Sequence, residues 1–415
     1  MTKKIERFLV AMLVWVAALF VGSSAAHGSG YGIFAQGASA QGQANAVVAH
    51  PDGPSAVFFN PALMSKLPGT QVEIGTTFIF PNRDYTAPDG TTASTRDTVF
   101  TPSTFYLTHA FNDKISAGLG VFNPFGLGTD WGDDWGGPIV PGTGGLGRFI
   151  ATNSELTTWN INPVVAYRIC PRLSVAAGMD IVVLDATLKS RGQPPPVEYN
   201  QKFTGSGNGL GYNIGVYVQA TDDFTVGASY RSQVDIDATG EFTADILPQS
   251  VGAKATIKLP QQVTAGVAYR PVDRLTLEAG MRWEDWSVFK ELQIQFDPNS
   301  SGLTSSTYPR DWHSTFAVNV GGKYRVNDTY SLMAGYLYGW NPVPDSTFEP
   351  AIPDSNTHLF SVGGEARLDK LTVALAYTYQ LQYERTKTTN LYGPIANGTY
   401  NSDLHLLGIS VGYAF

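Results

Sequence analysis

Asp311 and His313 sit two positions apart in "YPRDWHS", an arrangement in which a carboxylate could orient an imidazole for general-base work. Such a base needs a nucleophile, and the chain singles none out. "GASAQG" puts Ser39 in the place of an esterase nucleophile, but Gln41 stands where the second glycine of that turn belongs. "GTGGLG" (Gly142, Gly144, Gly147) spells a dinucleotide fingerprint, yet it comes after a Pro-Gly loop instead of a strand and leads into no helix. His27, His50, His109, His313, His358 and His405 are scattered without metal-ligand spacing. The single cysteine, Cys170, precedes Pro171 in a turn-like "YRICPRL", so neither a disulfide framework nor thiol chemistry is expected. No catalytic residue, metal or cofactor is indicated.

The N-terminus sets the compartment. Lys3, Lys4 and Arg7 precede an uncharged apolar run from Phe8 to Val21, and small residues stand after it at Ser24 and Ala26. That is the pattern of a secretory signal peptide over residues 1–26. The run is too short for the roughly 20 residues that span a bilayer. Removing three basic residues and one acidic one takes the net charge from −8 to −10, which argues against nucleic acid as a partner. Only 15% of residues are charged, against about 25% in water-soluble domains, while aromatics and glycine are plentiful. Low charge, many aromatics and no further spanning run point to a β-barrel in a bacterial outer membrane.

Ten-residue segments of strict alternation support that class. Leu371, Val373, Leu375, Tyr377 and Tyr379 alternate with Thr372, Ala374, Ala376, Thr378 and Gln380. Across 224–237, Phe224, Val226, Ala228, Tyr230, Val234 and Ile236 are expected outward, with Arg231, Asp235 and Asp237 inward. Six tight hairpins, such as "AFNDKIS" and "ARLDKLT", alternate with seven longer polar connections. The expected fold is therefore all-β, a 14-stranded antiparallel transmembrane barrel over residues 69–415 that ends on the aromatic Phe415.

A bore of that size would leak, and residues 27–68 are the means to fill it. They are too few to fold alone. "FFNPALMSKLPG" offers an apolar block with Pro61 to fix a turn, so 27–68 is expected to be a plug inside the lumen. The stretch "GASAQGQANAVVAHPDGPSAVFFNPALMSKLPG" resembles the N-terminal hatch of FadL-type long-chain fatty-acid transporters, with Phe58, Phe59, Asn60, Pro61 and Ala62 at its centre. "YRSQVDID", "LPQQVTAGVAYRPVDRLTLEAGMRWEDWS" and "LGISVGYAF" fall where that family has similar segments. The resemblance implies a monomer, in contact with outer-membrane lipid and lipopolysaccharide, that passes hydrophobic small molecules.

"KISAGLGVFNPFGLGTDW" begins as a strand, then Pro124 removes a ladder donor and Gly126 loosens the residues beyond it. Unpaired backbone in a lipid-facing wall is costly unless it borders a cavity. Asn123, Pro124 and Gly126 match the kinked third strand of the FadL family, which implies a lateral opening there. The loop beyond carries Phe125, Trp131, Trp135, Pro138, Ile139, Val140 and Leu146, an apolar set suited to a shallow capture groove. By resemblance, head-group cations fall near Lys189 or Arg191 and at Arg310; Arg148 is a further candidate, and each could equally serve a structural salt bridge. Long-chain fatty acid is the first expected cargo, with aromatic or alkane hydrocarbon as the alternative. A general porin or an outer-membrane enzyme stands further off.

Overall fold

The computed structural model describes residues 30–137, 145–192, 198–298, 302, 304–388 and 393–415. The signal peptide, its cleavage site, and Pro138, Ile139 and Val140 of the capture loop lie outside the described residues. Fourteen strands form one closed antiparallel barrel. They are β1 (Thr70–Thr86), β2 (Ser103–Ala110), β3 in two pieces (Ile115–Phe122 and Gly126–Asp130), β4 (Asn153–Cys170) and β5 (Leu173–Gly192). Next come β6 (Tyr199–Gln219), β7 (Phe224–Arg231 and Val234–Ala244), β8 (Val251–Leu259 and Gln262–Val272) and β9 (Leu275–Glu284 and Glu291–Phe296). β10 (Ser305–Pro309 and Thr315–Arg325), β11 (Tyr330–Gly339), β12 (Thr357–Leu368), β13 (Leu371–Lys387) and β14 (Gly398–Ala414) complete the ring. Closure is a long ladder between β1 and β14, from Gln71 opposite Ala414 to Thr86 opposite Thr399. Every strand is paired on both sides over at least part of its length, the pieces Gly126–Asp130 and Ser305–Pro309 being paired on one side only.

The wall has two zones of opposite polarity. Nearer the short turns, Ile74, Val165, Leu210, Val320, Val362 and Leu375 face outward and are exposed, as a lipid-facing band requires. Nearer the long connections the pattern inverts, and Val234, Ile236, Ala238, Ala255, Ile257 and Leu259 face a buried interior core. In β5 and β6 the inversion follows from residue choice along an unbroken alternation, and in β7 and β8 it is made by breaks in the strands. In β7 and β8, Ser232–Gln233 stands opposite Pro260–Gln261, so Arg231 and Val234 both point inward. A shift of one residue moves a whole strand's side chains to the other face. Asp235 and Asp237 are therefore exposed on the outside, contrary to the alternation read through the segment, while Val234 and Ile236 are inside.

Residues 30–66 pack within the bore. They form α1 (Ala38–Gly42), α2 (Ala56–Phe59) and a 3₁₀ turn (Pro61–Lys66). The apolar block finds its wall: Val57, Leu63 and Met64 are buried against Tyr106, Phe122, Val164, Ala176 and Tyr217. Asn60 caps the 3₁₀ turn through its Oδ1, and its Nδ2 donates to the carbonyls of Val48 (2.8 Å) and Val216 (2.9 Å). Charged inward groups clamp the segment. Glu278 accepts from the amides of Val48 and Ala49 and pairs with His50 at 2.7 Å. Lys323 bridges Asp52 of the segment (3.1 Å) and Glu365 of β12 (2.6 Å). Buried charges are tolerable because each is paired.

Gly321 and Gly335 lie where the backbone at Gln43 touches the wall, and a side chain at either would overlap that backbone. Gly321→Val with Gly335→Val should leave the ladders intact but unseat residues 30–66. Planar-bilayer conductance should then rise several-fold; wild-type conductance would mean that the segment stays in place.

Candidate functional site

Between Phe122 and Gly126, β3 leaves its ladder. Phe122 pairs with Asn160 and Gly126 with Thr157, so three residues on β3 face two on β4. β2 pairs with the first piece of β3 only, and the β1–β2 connection holds to β1 through an isolated bridge between Ile79 and Phe100 and a short ladder of Thr92–Ser94 on Asp84–Thr86. The second piece of β3 consequently has a strand on one side alone. Its backbone groups are satisfied from the interior. Ile33 N–H donates to Pro124 O and Gly126 N–H to Tyr31 O, both at 2.9 Å, an antiparallel bridge supplied by the N-terminal segment. Gln36 Nε2 donates to Asn123 O at 2.7 Å, and Thr158 Oγ1 both accepts from Phe125 N–H and donates to Phe125 O. The Asn123 side chain accepts from Ser103 N–H (2.9 Å) and donates to Thr158 O (2.6 Å). Arg83 donates to Gly128 O at 2.7 Å.

A cavity of about 510 Å³ lies at this break. On one side it meets inward residues Pro81 and Arg83 of β1, Gln382 of β13 and Leu404 of β14. On the other it meets Glu155, Thr157 and Trp159, which alternate onto the outward face of β4. The cavity is thus lined by residues that alternate onto both faces of the wall. The rim includes the β1–β2 connection at Val99, Phe100 and Thr101, and Gly128 must stay small because the Phe100 ring lies against it. Asp354, in the β11–β12 connection, accepts from Gly30 N–H at 2.8 Å and from Gln382 Nε2 at 3.1 Å. Burial pushes its carboxyl up to about 7, against smaller opposing pulls from the Gly30 amide, Arg385 and Arg83.

Beside the cavity, Tyr31, Phe125, Trp286, Phe289 and Trp312 form one aromatic cluster, with the Tyr31 ring 4.6 Å from Trp286 and 5.9 Å from Trp312. Tyr31 Oη, Trp286 Nε1, Trp312 Nε1 and Arg310 Nε are buried there without a hydrogen-bond partner among the described residues. Arg310 also pairs with Glu349 at 2.5 Å and lies over Phe289. Trp131 and Trp135 stack at 4.5 Å and are buried with Tyr85, Tyr400 and Phe348, capping the bore instead of lining an exposed groove. Arg148 is held by Glu198 (2.5 Å) and Asp134 (3.4 Å). Lys189 is exposed, and it and Arg191 alternate onto the face of β5 opposite to buried Leu184 and Ala186, so neither is placed in the lumen. Asp311 occupies a turn at φ 48°, and no ion pair joins it to His313 among the described residues. Residues 30–36, Trp286, Trp312 and Asp354 carry no motif that marks them in the sequence.

The described residues thus form a closed barrel whose bore holds residues 30–66, with a cavity at the break in β3. The family model of outer membrane transport proteins OMPP1/FadL/TodX matches residues 19–415, and the chain belongs to that family. It is a transporter of hydrophobic compounds in the bacterial outer membrane. It is 23% identical to the long-chain fatty acid transport protein of Escherichia coli over 401 residues, covering 86% of this chain and 84% of that one. The fold is shared with a FadL homologue of Pseudomonas aeruginosa (TM-score 0.83, 20% identity, 93% of this chain and 100% of that one). It is shared too with the toluene transporter TbuX of Ralstonia pickettii (TM-score 0.73, 17% identity, 92% and 99%).

The carboxyl of Asp354 gives a pH test. Unfolded, it loses its proton near the ordinary 3.8; folded, it keeps it to about 7. The folded state therefore binds more protons between these values, and stability falls as pH rises through them. Between pH 4 and 7.5 the wild type should lose a few kcal/mol of resistance to chemical denaturation. Asp354→Asn should reduce that slope; an unchanged slope would place the titration elsewhere.

Proposed function

We propose that this protein passes hydrophobic molecules with an acceptor head group, long-chain fatty acids above all, from the outer surface into the membrane through the break in β3. The observation that carries this reading is the cavity shared by the lumen and the outward face of β4. The polar lipopolysaccharide layer obstructs greasy molecules, whereas the hydrocarbon beneath gains about 0.8 kcal/mol per buried methylene. A carrier past the polar layer needs no energy source. Residues 30–66 act as the hatch that blocks the axial route and, through Tyr31 and Ile33, line the lateral one. Cargo would pass Phe125, which lines the cavity, and the protein works as a monomer.

The four unpartnered donors around Tyr31, Trp286, Trp312 and Arg310 suit the oxygens of a carboxylate, since a buried donor left unpaired costs about 1–3 kcal/mol. A second reading, neutral aromatic hydrocarbon, is favoured by the Arg310–Glu349 pair, which already compensates the cation. The relatives' names include both cargoes.

Pro124→Ala with Gly126→Ala should slow uptake of hydrophobic substrates about tenfold without changing small-solute leakage. Wild-type uptake would remove the lateral route. Trp312→Phe with Tyr31→Phe retains an aromatic ring at each position, a smaller one at 312, and deletes two donors. It should weaken fatty-acid binding by about tenfold or more and leave toluene unaffected. Equal loss for both ligands would assign these residues to packing alone.

A further inference from the structure

Lys189 and Arg191, which the lumen does not use, lie on the outward face of β5, in line with Val183 and Met179 lower in the same strand. The ladder places Lys202 of β6 directly opposite Lys189, and Asn200 opposite Arg191. Both lysines are exposed, and neither ammonium group has a hydrogen bond or ion pair among the described residues. Four acids surround the group: Glu155 and Glu241, in register with Thr187 and Thr204, sit one diagonal step from the lysines, while Asp245 is taken up by Asn200 and Glu198 by Arg148, both beside Arg191. Like charges directly opposite destabilise a strand pair. An anion seated between the two ammonium groups reverses that sign.

Height in the membrane says which anion. Val183 and Leu210 are the last exposed apolar residues on these two strands before the outward face turns polar with Asp185, Thr187, Ser206 and Asn208. Lys189 is six residues beyond Val183, or roughly 20 Å along the strand and about 15 Å in height at the usual tilt of a membrane barrel. That level, on the side of the long connections, is the phosphorylated inner saccharide of the outer leaflet, not its hydrocarbon. The apolar band below, with Met179, Leu210 and Tyr212 exposed, meets acyl chains.

We propose that Lys189, Lys202 and Arg191 hold a phosphate of one lipopolysaccharide molecule against the outside of β5 and β6, with its acyl chains on the apolar band beneath. The site is independent of the transport reading. It borders the side cavity, because Glu155 lines that cavity and is the diagonal neighbour of Lys189.

The test is native mass spectrometry of the detergent-solubilised full chain titrated with purified lipopolysaccharide, phosphate-stripped lipopolysaccharide, or phosphatidylglycerol. Heat-modified gel mobility confirms that each variant is a folded barrel. Lys189→Ser with Lys202→Ser should lower occupancy by the intact glycolipid about tenfold, while Lys370→Ser on a short turn should not. The wild type should prefer intact over stripped lipopolysaccharide by a similar factor and over phosphatidylglycerol. Undiminished binding by the double variant, an equal loss with Lys370→Ser, or equal binding of the stripped glycolipid or phosphatidylglycerol would each overturn the proposal.

Discussion

In hydrocarbon, a backbone N–H or C=O without a partner costs several kcal/mol, so a lipid-facing wall cannot simply be cut. Any gap must be lined by groups that replace the lost ladder. At Asn123–Gly126 the replacements come from three directions: Tyr31 and Ile33 from within the bore, Thr158 from β4, and the Asn123 side chain reaching to Ser103 and β4. The break is therefore a stable feature rather than a fraying end. Its stability depends on the N-terminal segment being in the bore, which couples the hatch to the wall. Glu278, Lys323 and Asn60 hold that segment in place, and Asp354 anchors its first described residue.

The inverted polarity of the two zones obeys the same economy of groups. Where lipid surrounds the barrel, apolar side chains face out and the polar interior grips the hatch. Beyond the lipid, the outside faces water and sugar, and apolar residues turn in to form an oily chamber around Trp286, Phe289 and Trp312. β5 does both within one unbroken alternation by changing residue type, outward from Met179 and Val183 to Asp185 and inward from Asp180 to Leu184 and Ala186, whereas β7 and β8 change face. The paired break at Ser232–Gln233 and Pro260–Gln261 lets β7 and β8 do so, and the break in β3 makes the same switch while opening the side.

Much of this was readable in the chain. Pro, Asn and Asp in short turns punctuate strands strongly, so turn chemistry was enough to count fourteen strands. The apolar block at 57–64 could only be a packing surface. What alternation could not reveal was the change of face, because "YRSQVDID" keeps a period of two straight through the break. Burial of Val234 and Ile236, a tertiary effect, decides it against Asp235. Lys189 and Arg191 were expected in the lumen by resemblance alone, and the unbroken alternation of β5 puts them on the face opposite Leu184 and Ala186. The donors Tyr31, Trp286 and Trp312 lie in irregular segments that have no period to mark them.

In the proposed route, cargo leaves sideways between the β1–β2 connection and the second piece of β3. Phe100 touches Gly128 across that gap, so Phe100→Cys with Gly128→Cys, in a Cys170→Ser background, provides a staple over it. Uptake of a hydrophobic substrate should fall to background when the pair is oxidised and return on reduction. Equal uptake in both states, with the disulfide verified, would contradict a lateral exit.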